Sequence, residues 1–152
     1  MLVVAWEQKD GISIATLAGR IDARNADEFQ NMIESGVDSG AHAVILDFEQ
    51  VSYISIAGLQ TGLYIAQNLN KRDKQFAVCA VSGQVGDIVE FSGFAERVPV
   101  YESRATAINA FEQKAVHQGQ HETKREGLRG SAAAVVQLLR GTRSAPGTVQ
   151  QG

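Results

Sequence analysis

Apolar and polar positions along this chain switch between a period of two and a period near 3.6, and the switches mark its elements. Leu2–Gln8 reads as a strand, Asp10-Gly11 as a tight turn, and Ile12, Ile14 and Thr16, alternating with Ser13 and Ala15, as a second strand. These two form an antiparallel hairpin that ends at Gly19-Arg20-Ile21-Asp22. Asn25 then opens a helix, with Glu28 three residues on in the position of a capping box. Ala26, Phe29, Ile33 and Val37 form its inward stripe, Gly36 is placed to cap its C-terminus, and Asp27 and Glu28 suit the positive end of its dipole.

The stretch Val44–Leu63 carries the next switch. Val44, Ile45 and Leu46 make a short buried strand, Asp47-Phe48 closes it, and Glu49, Gln50 and Ser52 read as loop. From Ser55 the period is helical to about Asn70: Ile56, Leu59, Leu63 and Ala66 fall on one stripe, with Gly62, Ile65 and Leu69 on the neighbouring one. Ser55 is placed as an N-cap hydroxyl. A helix terminus of this kind can receive an anion or meet a partner, and an ordinary strand–helix junction would read the same way. Gly58, in the first turn, is placed where a partner could approach, whereas Gly62 suits close packing of the helix on the sheet.

Lys71–Lys74 is a solvated connection, and Gln75–Val81, the most apolar run, reads as a central strand. Ser82 starts a short helix carrying Val85, Ile88 and Val89, which stops near Gly93. Val98–Tyr101 is a last short strand, placed at a sheet edge by Pro99. Ser103 caps a final helix with Ala107, Ile108 and Phe111 inward. One hairpin followed by alternating strands and helices predicts an α/β fold over residues 1–113. It is a mixed sheet of four to five strands with right-handed crossovers that set four helices mainly on one face. Beyond Lys114 the pattern fails, so residues 114–152 are expected to be a flexible, low-complexity tail. Within it, residues 131–140 could form a short helix, marginal in isolation.

Charge changes the picture little. Residues 1–113 hold 8 Lys/Arg against 15 Asp/Glu, and residues 114–152 hold 6 against 2. An acidic domain lacks the clustered cations that phosphate contacts demand, which argues against a nucleic-acid partner. No apolar run approaches the ~20 residues that span a bilayer, and Met1–Val4 lacks the basic start of a signal peptide. The expectation is a cytoplasmic protein without direct membrane insertion. Cys79, the single cysteine, lies in an apolar run and reads as a buried, inert thiol.

Candidate chemistry is sparse. His117 and His121 are four apart, but their polar, aperiodic surroundings do not read as helix and no further ligand accompanies them, so no metal site is expected. A triad would need Ser55 with His42 and Asp22 or Asp47, and nothing places His42 beside Ser55. Neither G-x-x-x-x-G-K-[ST] nor G-x-G-x-x-G occurs. No catalytic residue and no cofactor is expected, and an enzyme is the least favoured class.

Two motifs do point to a family. Asp47-Phe48, Val51 and Tyr53-Ile54-Ser55-Ile56-Ala57-Gly58-Leu59 resemble the signature of the STAS domain of anti-sigma-factor antagonists. Leu17-Ala18-Gly19-Arg20-Ile21-Asp22-Ala23 resembles the same family's strand-to-helix segment upstream. The resemblance covers about residues 2–113. It implies a non-enzymatic regulator that binds an anti-sigma factor or a GHKL-type serine kinase in a partner-switching system. The surface it implies is Asp22 together with Ser55, Ile56, Ala57, Gly58 and Leu59. In that family a kinase phosphorylates a hydroxyl before the second helix. Here Ile56 and Ala57 occupy the usual positions, which leaves Ser55, one residue early, as the fallback. STAS-like domains also serve as non-catalytic subunits of membrane transport complexes for lipids or anions, which is the alternative implied.

Overall fold

Residues 1–122 are described by a computed structural model, with side chains described to Gln113. Five strands form one sheet in the order β1-β2-β3-β4-β5: β1 (Leu2–Lys9), β2 (Ile12–Ile21), β3 (Ala43–Ile54), β4 (Gln75–Cys79) and β5 (Val100–Tyr101). The first pair is antiparallel and the other three are parallel. Four α-helices and a single 3-10 turn (Phe94–Glu96) accompany them among the described residues: α1 (Ala26–Gly36), α2 (Ile56–Lys71), α3 (Gly83–Phe91) and α4 (Arg104–Glu122). Met1–Phe111 form one compact unit. The mixed α/β sheet expected from the sequence is therefore what forms. Asp10 and Gly11 both take positive φ, 52° and 80°, as a two-residue hairpin turn with the right twist requires.

The alternation of side chains along each strand divides the interior in two. On one face Leu17, Val44, Leu46, Phe48, Phe76 and Val78 meet Phe29 and Ile33 of α1, Leu59, Ile65 and Leu69 of α2, and Val85 and Val89 of α3. On the other face Ile12, Ile14, Ala43, Ile45, Ala77 and Cys79 meet Ala107, Phe111 and the partly buried Ile108 of α4, with Ala80 and Tyr101 packed beside them. Three helices on one face and one on the other is the layering that right-handed parallel crossovers leave. Each fully buried large aliphatic or aromatic side chain contributes about 1.5–3 kcal/mol, so the three-helix face dominates stability. The smaller face is pinned by a polar contact instead. Arg104, at the first turn of α4, donates from Nε to Asp47 Oδ2 at 3.0 Å, from a terminal nitrogen to Glu7 Oε1 at 2.9 Å, and to Thr16 Oγ1. Asp47 is buried, and its other oxygen accepts the Glu49 amide at 2.9 Å. Cys79 is buried as expected, and burial, with the Asp47 charge adding to it, pushes its thiol up to about 12.

Several local expectations are corrected. The stretch after Phe48 is not loop: β3 runs to Ile54, pairing Gln50, Val51, Tyr53 and Ile54 with Ala18, Gly19, Arg20 and Ile21 across two register shifts. Glu49, Gln50 and Ser52 are exposed while Val51 and Ile54 are buried, so polar residues on an open strand face imitated a loop. Asn25 precedes α1 but makes no side-chain cap; its amide oxygen accepts from the Asp22 N–H and its amide nitrogen donates to the Arg20 carbonyl. Gly36 is no cap either, since the following Val37 is extended; a Cβ on Gly36 would fall inside the Trp6 indole, and that close approach explains the glycine. β4 ends at Cys79, because Ala80 turns to φ 64°. It is flanked by β3 and β5, and β5 starts at Val100, after Pro99, at the sheet edge. Finally, α4 continues to Glu122, so His117 and His121 do lie on helix; no cluster of metal-ligand side chains occurs among the described residues. The residues 131–140 lie outside the described residues.

Candidate functional site

The parallel register of β2 on β3 pairs Ile21 with Ile54, which makes the residues immediately after them neighbours. Ser55 donates its backbone N–H to the Ile21 carbonyl at 2.9 Å, tying the two motif segments together at the C-terminal end of the strands. One chain then turns into α1 through Asp22–Asn25 and the other into α2 through Ser55. The structure thus brings Asp22 and the Ser55–Ala57 turn to one tip of the molecule. In open α/β sheets, ligands bind outside that end of the strands.

The N-cap reading of Ser55 holds. Its backbone is extended, with φ −93° and ψ 171°, and its hydroxyl oxygen accepts the Gly58 amide at 3.1 Å. Ile56 follows with 49% of its surface exposed, and Ala57 is half-buried. The inward side of the helix is therefore Gly58, Leu59, Gly62, Ile65 and Leu69, not the stripe that begins at Ile56. This corrects two expectations about the site. Gly58 is buried, and a Cβ there would come within 2.9 Å of both Ile21 Cγ2 and Ile54 Cγ1, so the glycine serves contact between α2 and the strand ends rather than a partner. Leu59 is likewise a core residue, 3% exposed. Gly62 packs tightly as expected, but against Phe94 of the 3-10 turn, whose ring would lie 3.2 Å from an added Cβ.

Asp22 is structured by its neighbours. Its Oδ1 accepts the Arg24 amide at 3.0 Å, and its Oδ2 lies 3.5 Å from the Arg24 and 3.8 Å from the Arg20 guanidinium. Partial desolvation works to raise its pKa, but the Arg24 amide and the Arg24 and Arg20 charges outweigh it and hold the carboxyl below its ordinary value. Arg20 also stacks over Tyr53, with Cζ 4.4 Å from the ring centroid. Sequence reasoning did not assign Arg20, Arg24 or Tyr53 to the surface. Arg20 and Tyr53 both stand inside the quoted motifs, so their adjacency was legible once the parallel register of the two strands was known.

Beside the tip, α2 presents Ile56, Gln60 and Leu63 to the Ser92–Arg97 segment across a groove of about 330 Å³. Ile56, which lines the groove, is half exposed, and Phe91, next to Ser92 in sequence, is 91% exposed. His42 lies elsewhere: its amide bonds the Gly11 carbonyl and its carbonyl accepts from Gln75, at the N-terminal end of β3 and β4. Since Ser55 follows the C-terminal end of β3, no Ser–His pair forms there. The geometry at the tip offers surface, a capped helix and fixed charges.

The family model described as STAS domain matches residues 4–107. A protein of Bordetella bronchiseptica named as an anti-sigma factor antagonist, BtrV, is 35% identical over 108 residues, covering 71% of this chain and 93% of that relative. The anti-sigma F factor antagonist of Paenibacillus polymyxa is 21% identical over 112 residues, 73% of this chain and 96% of its own length. Among solved structures, an anti-sigma factor antagonist from Mycobacterium paratuberculosis superposes with a TM-score of 0.65 at 23% identity, covering 72% of this chain and 93% of that one. The murine anion transporter Slc26a9 contains a similar fold, with a TM-score of 0.60 at 22% identity, over 71% of this chain and 18% of the transporter. At such identities the structural likeness speaks for the fold. Motifs, topology, family model and a 35% identical relative agree, and the chain belongs to the STAS domain family.

Proposed function

We propose that this protein is a non-enzymatic, protein-binding regulator: an anti-sigma-factor antagonist that engages an anti-sigma factor or GHKL-type serine kinase in a partner-switching system. The observation that carries the reading is the 35% identity over 93% of a relative that bears that name, because the match spans nearly all of that relative. The transport-complex alternative draws on a likeness in fold alone, to a fraction of a much larger chain. No helix among the described residues is long and apolar enough to cross a membrane. A cytoplasmic location goes with this reading, as does the absence of a cofactor.

The contact surface we infer is the exposed part of the tip: Asp22, Ser55, Ile56 and Ala57, extended by Arg20, Arg24 and Tyr53. Gly58 and Leu59 support it from beneath. Binding by competition needs only complementarity, and an apolar Ile56 at the exposed start of α2 supplies the kind of central contact that carries binding energy. Switching by phosphate at the usual position is unavailable, because Ile56 and Ala57 carry no hydroxyl. Ser55 is a poor acceptor, since its oxygen already receives the Gly58 amide. A phosphate there would bring roughly −1.5 to −2 charges against the Asp22 carboxylate and take away the cap. The test is to incubate the protein with the cognate kinase and ATP and to map added phosphate by mass spectrometry. No phosphate, with stable complex formation, is the expected result; stoichiometric phosphate on Ser55 with release of the partner would overturn the ungated reading.

A further inference from the structure

The two edges of the sheet differ in how they are guarded. β5 is two residues long and follows Pro99, both devices that keep an edge from pairing with another chain. β1 has neither. It is eight residues long and pairs with β2 in unbroken register from Leu2↔Gly19 to Lys9↔Ile12. It contains no proline, and its first five residues, Leu2-Val3-Val4-Ala5-Trp6, carry no charged side chain. Its outer row of backbone N–H and C=O groups has no partner strand among the described residues. An edge of this length and polarity is a template for a further strand.

We propose that this edge pairs antiparallel with β1 of a second copy of the chain, about a two-fold axis through Ala5, so that one sheet runs through both copies. The sequence of β1 is self-complementary in that register. Val4 stands opposite Trp6 of the second copy, and the symmetry repeats the pair, giving two aromatic–β-branched contacts of the favoured cross-strand kind. Both side chains are partly buried against the larger core in the single copy, so pairing covers surface that is already half removed from water. Ala5 meets Ala5 on the opposite face, where it is exposed and small. Val3 faces Glu7, and no like-charged side chains are opposed. Moving the axis to Glu7 would set two carboxylates against each other, and moving it to Trp6 would drive two indoles onto one point while each is held against its own Gly36.

The two-fold axis runs perpendicular to the sheet, so the strands of the two copies are antiparallel and the two Asp22/Ser55 tips point to opposite ends of the dimer. Both remain uncovered, and the assembly is bivalent. The pairing rests on the edge alone and stands independently of the partner surface.

The test uses the full chain. Sedimentation of the unsubstituted protein over a concentration series is expected to show a dimer. Ala5→Lys puts like charges directly opposite each other at the axis and is expected to weaken the dimer by roughly tenfold or more, with thermal unfolding unchanged at concentrations low enough for both proteins to be monomeric, because Ala5 is exposed in the single copy. Directly opposed residues have Cα atoms about 4.5–5.5 Å apart, within disulfide reach. Ala5→Cys is therefore expected to give a covalent dimer with oxidised glutathione, while Val3→Cys, facing Glu7, and the buried Cys79 give none. A monomer at every concentration would overturn the proposal. So would a dimer that is indifferent to Ala5→Lys and fails to cross-link through Ala5→Cys.

Discussion

Ile56 and Ala57 on one side of the first turn of α2, and Gly58 and Leu59 on the other, are consecutive in the chain and opposite in environment. Ile56 faces solvent at 49% exposure, whereas Leu59 is 3% exposed and Gly58 is closed in by Ile21 and Ile54. Ser55 stands between the two sides, half-buried, with its hydroxyl holding the turn shut at Gly58. The difference teaches that one sequence motif carries two duties. Its glycine and leucine fix the helix on the strand ends, and its first residues form the surface that the helix then holds in place. Substitutions on the two sides should separate cleanly in what they change.

The largest effect is expected from Gly58→Glu. A side chain there must displace two isoleucines and bury a charge, which should cost on the order of 4 kcal/mol or more, and chemical denaturation should show the protein largely unfolded. Leu59→Ala comes next. It opens a cavity in the three-helix core and should destabilise by about 2–4 kcal/mol, with the denaturant slope retained. Ser55→Ala sits at the border; losing the cap should cost about 1 kcal/mol, visible as a modest fall in Tm. Destabilisation of Gly58→Glu no greater than that of Ser55→Ala would break the division of the turn into two sides.

A smaller effect concerns Asp22. Its pKa in the folded protein is held below the ordinary carboxylate value, so its contribution is fully present above the unfolded pKa, near 3.8, and is lost as pH falls through the folded value. Removing the charge by Asp22→Asn is expected to lower Tm slightly at neutral pH, and the gap between the two proteins should close as the pH drops below about 4. A gap that is constant down to acid unfolding would show that the Arg20 and Arg24 charges do not act on this carboxyl in the folded state.

Much of this arrangement was legible in the sequence, and the misreadings share a cause. Strands and helices announced themselves by period, and the two motif segments pointed to the same end of the sheet. The length of β3 was missed because Glu49, Gln50 and Ser52 lie on open strand surface, where polarity carries no signal of loop. The inward stripe of α2 was displaced because Ile56 is apolar yet exposed, and an exposed apolar residue looks like core in one dimension. Gly36 and Gly58 were read as cap and approach point because a glycine's neighbour across space, Trp6 in one case and two isoleucines in the other, lies far away in sequence. The pairing of Arg104 with Asp47, 57 residues apart, had no local signature at all.

Ile56→Glu is the smallest change in stability and the sharpest in function. Stability should stay within about 0.5 kcal/mol of the unsubstituted protein, since the side chain is exposed. Isothermal titration of both proteins with the anti-sigma factor or kinase is the most direct measurement of the central claim, that the exposed side of this turn is the partner surface. The expected result is affinity lowered by roughly a hundredfold or more, as for the loss of a central apolar contact, at unchanged Tm. Equal affinity for the two proteins would place the partner elsewhere on the molecule and contradict the claim.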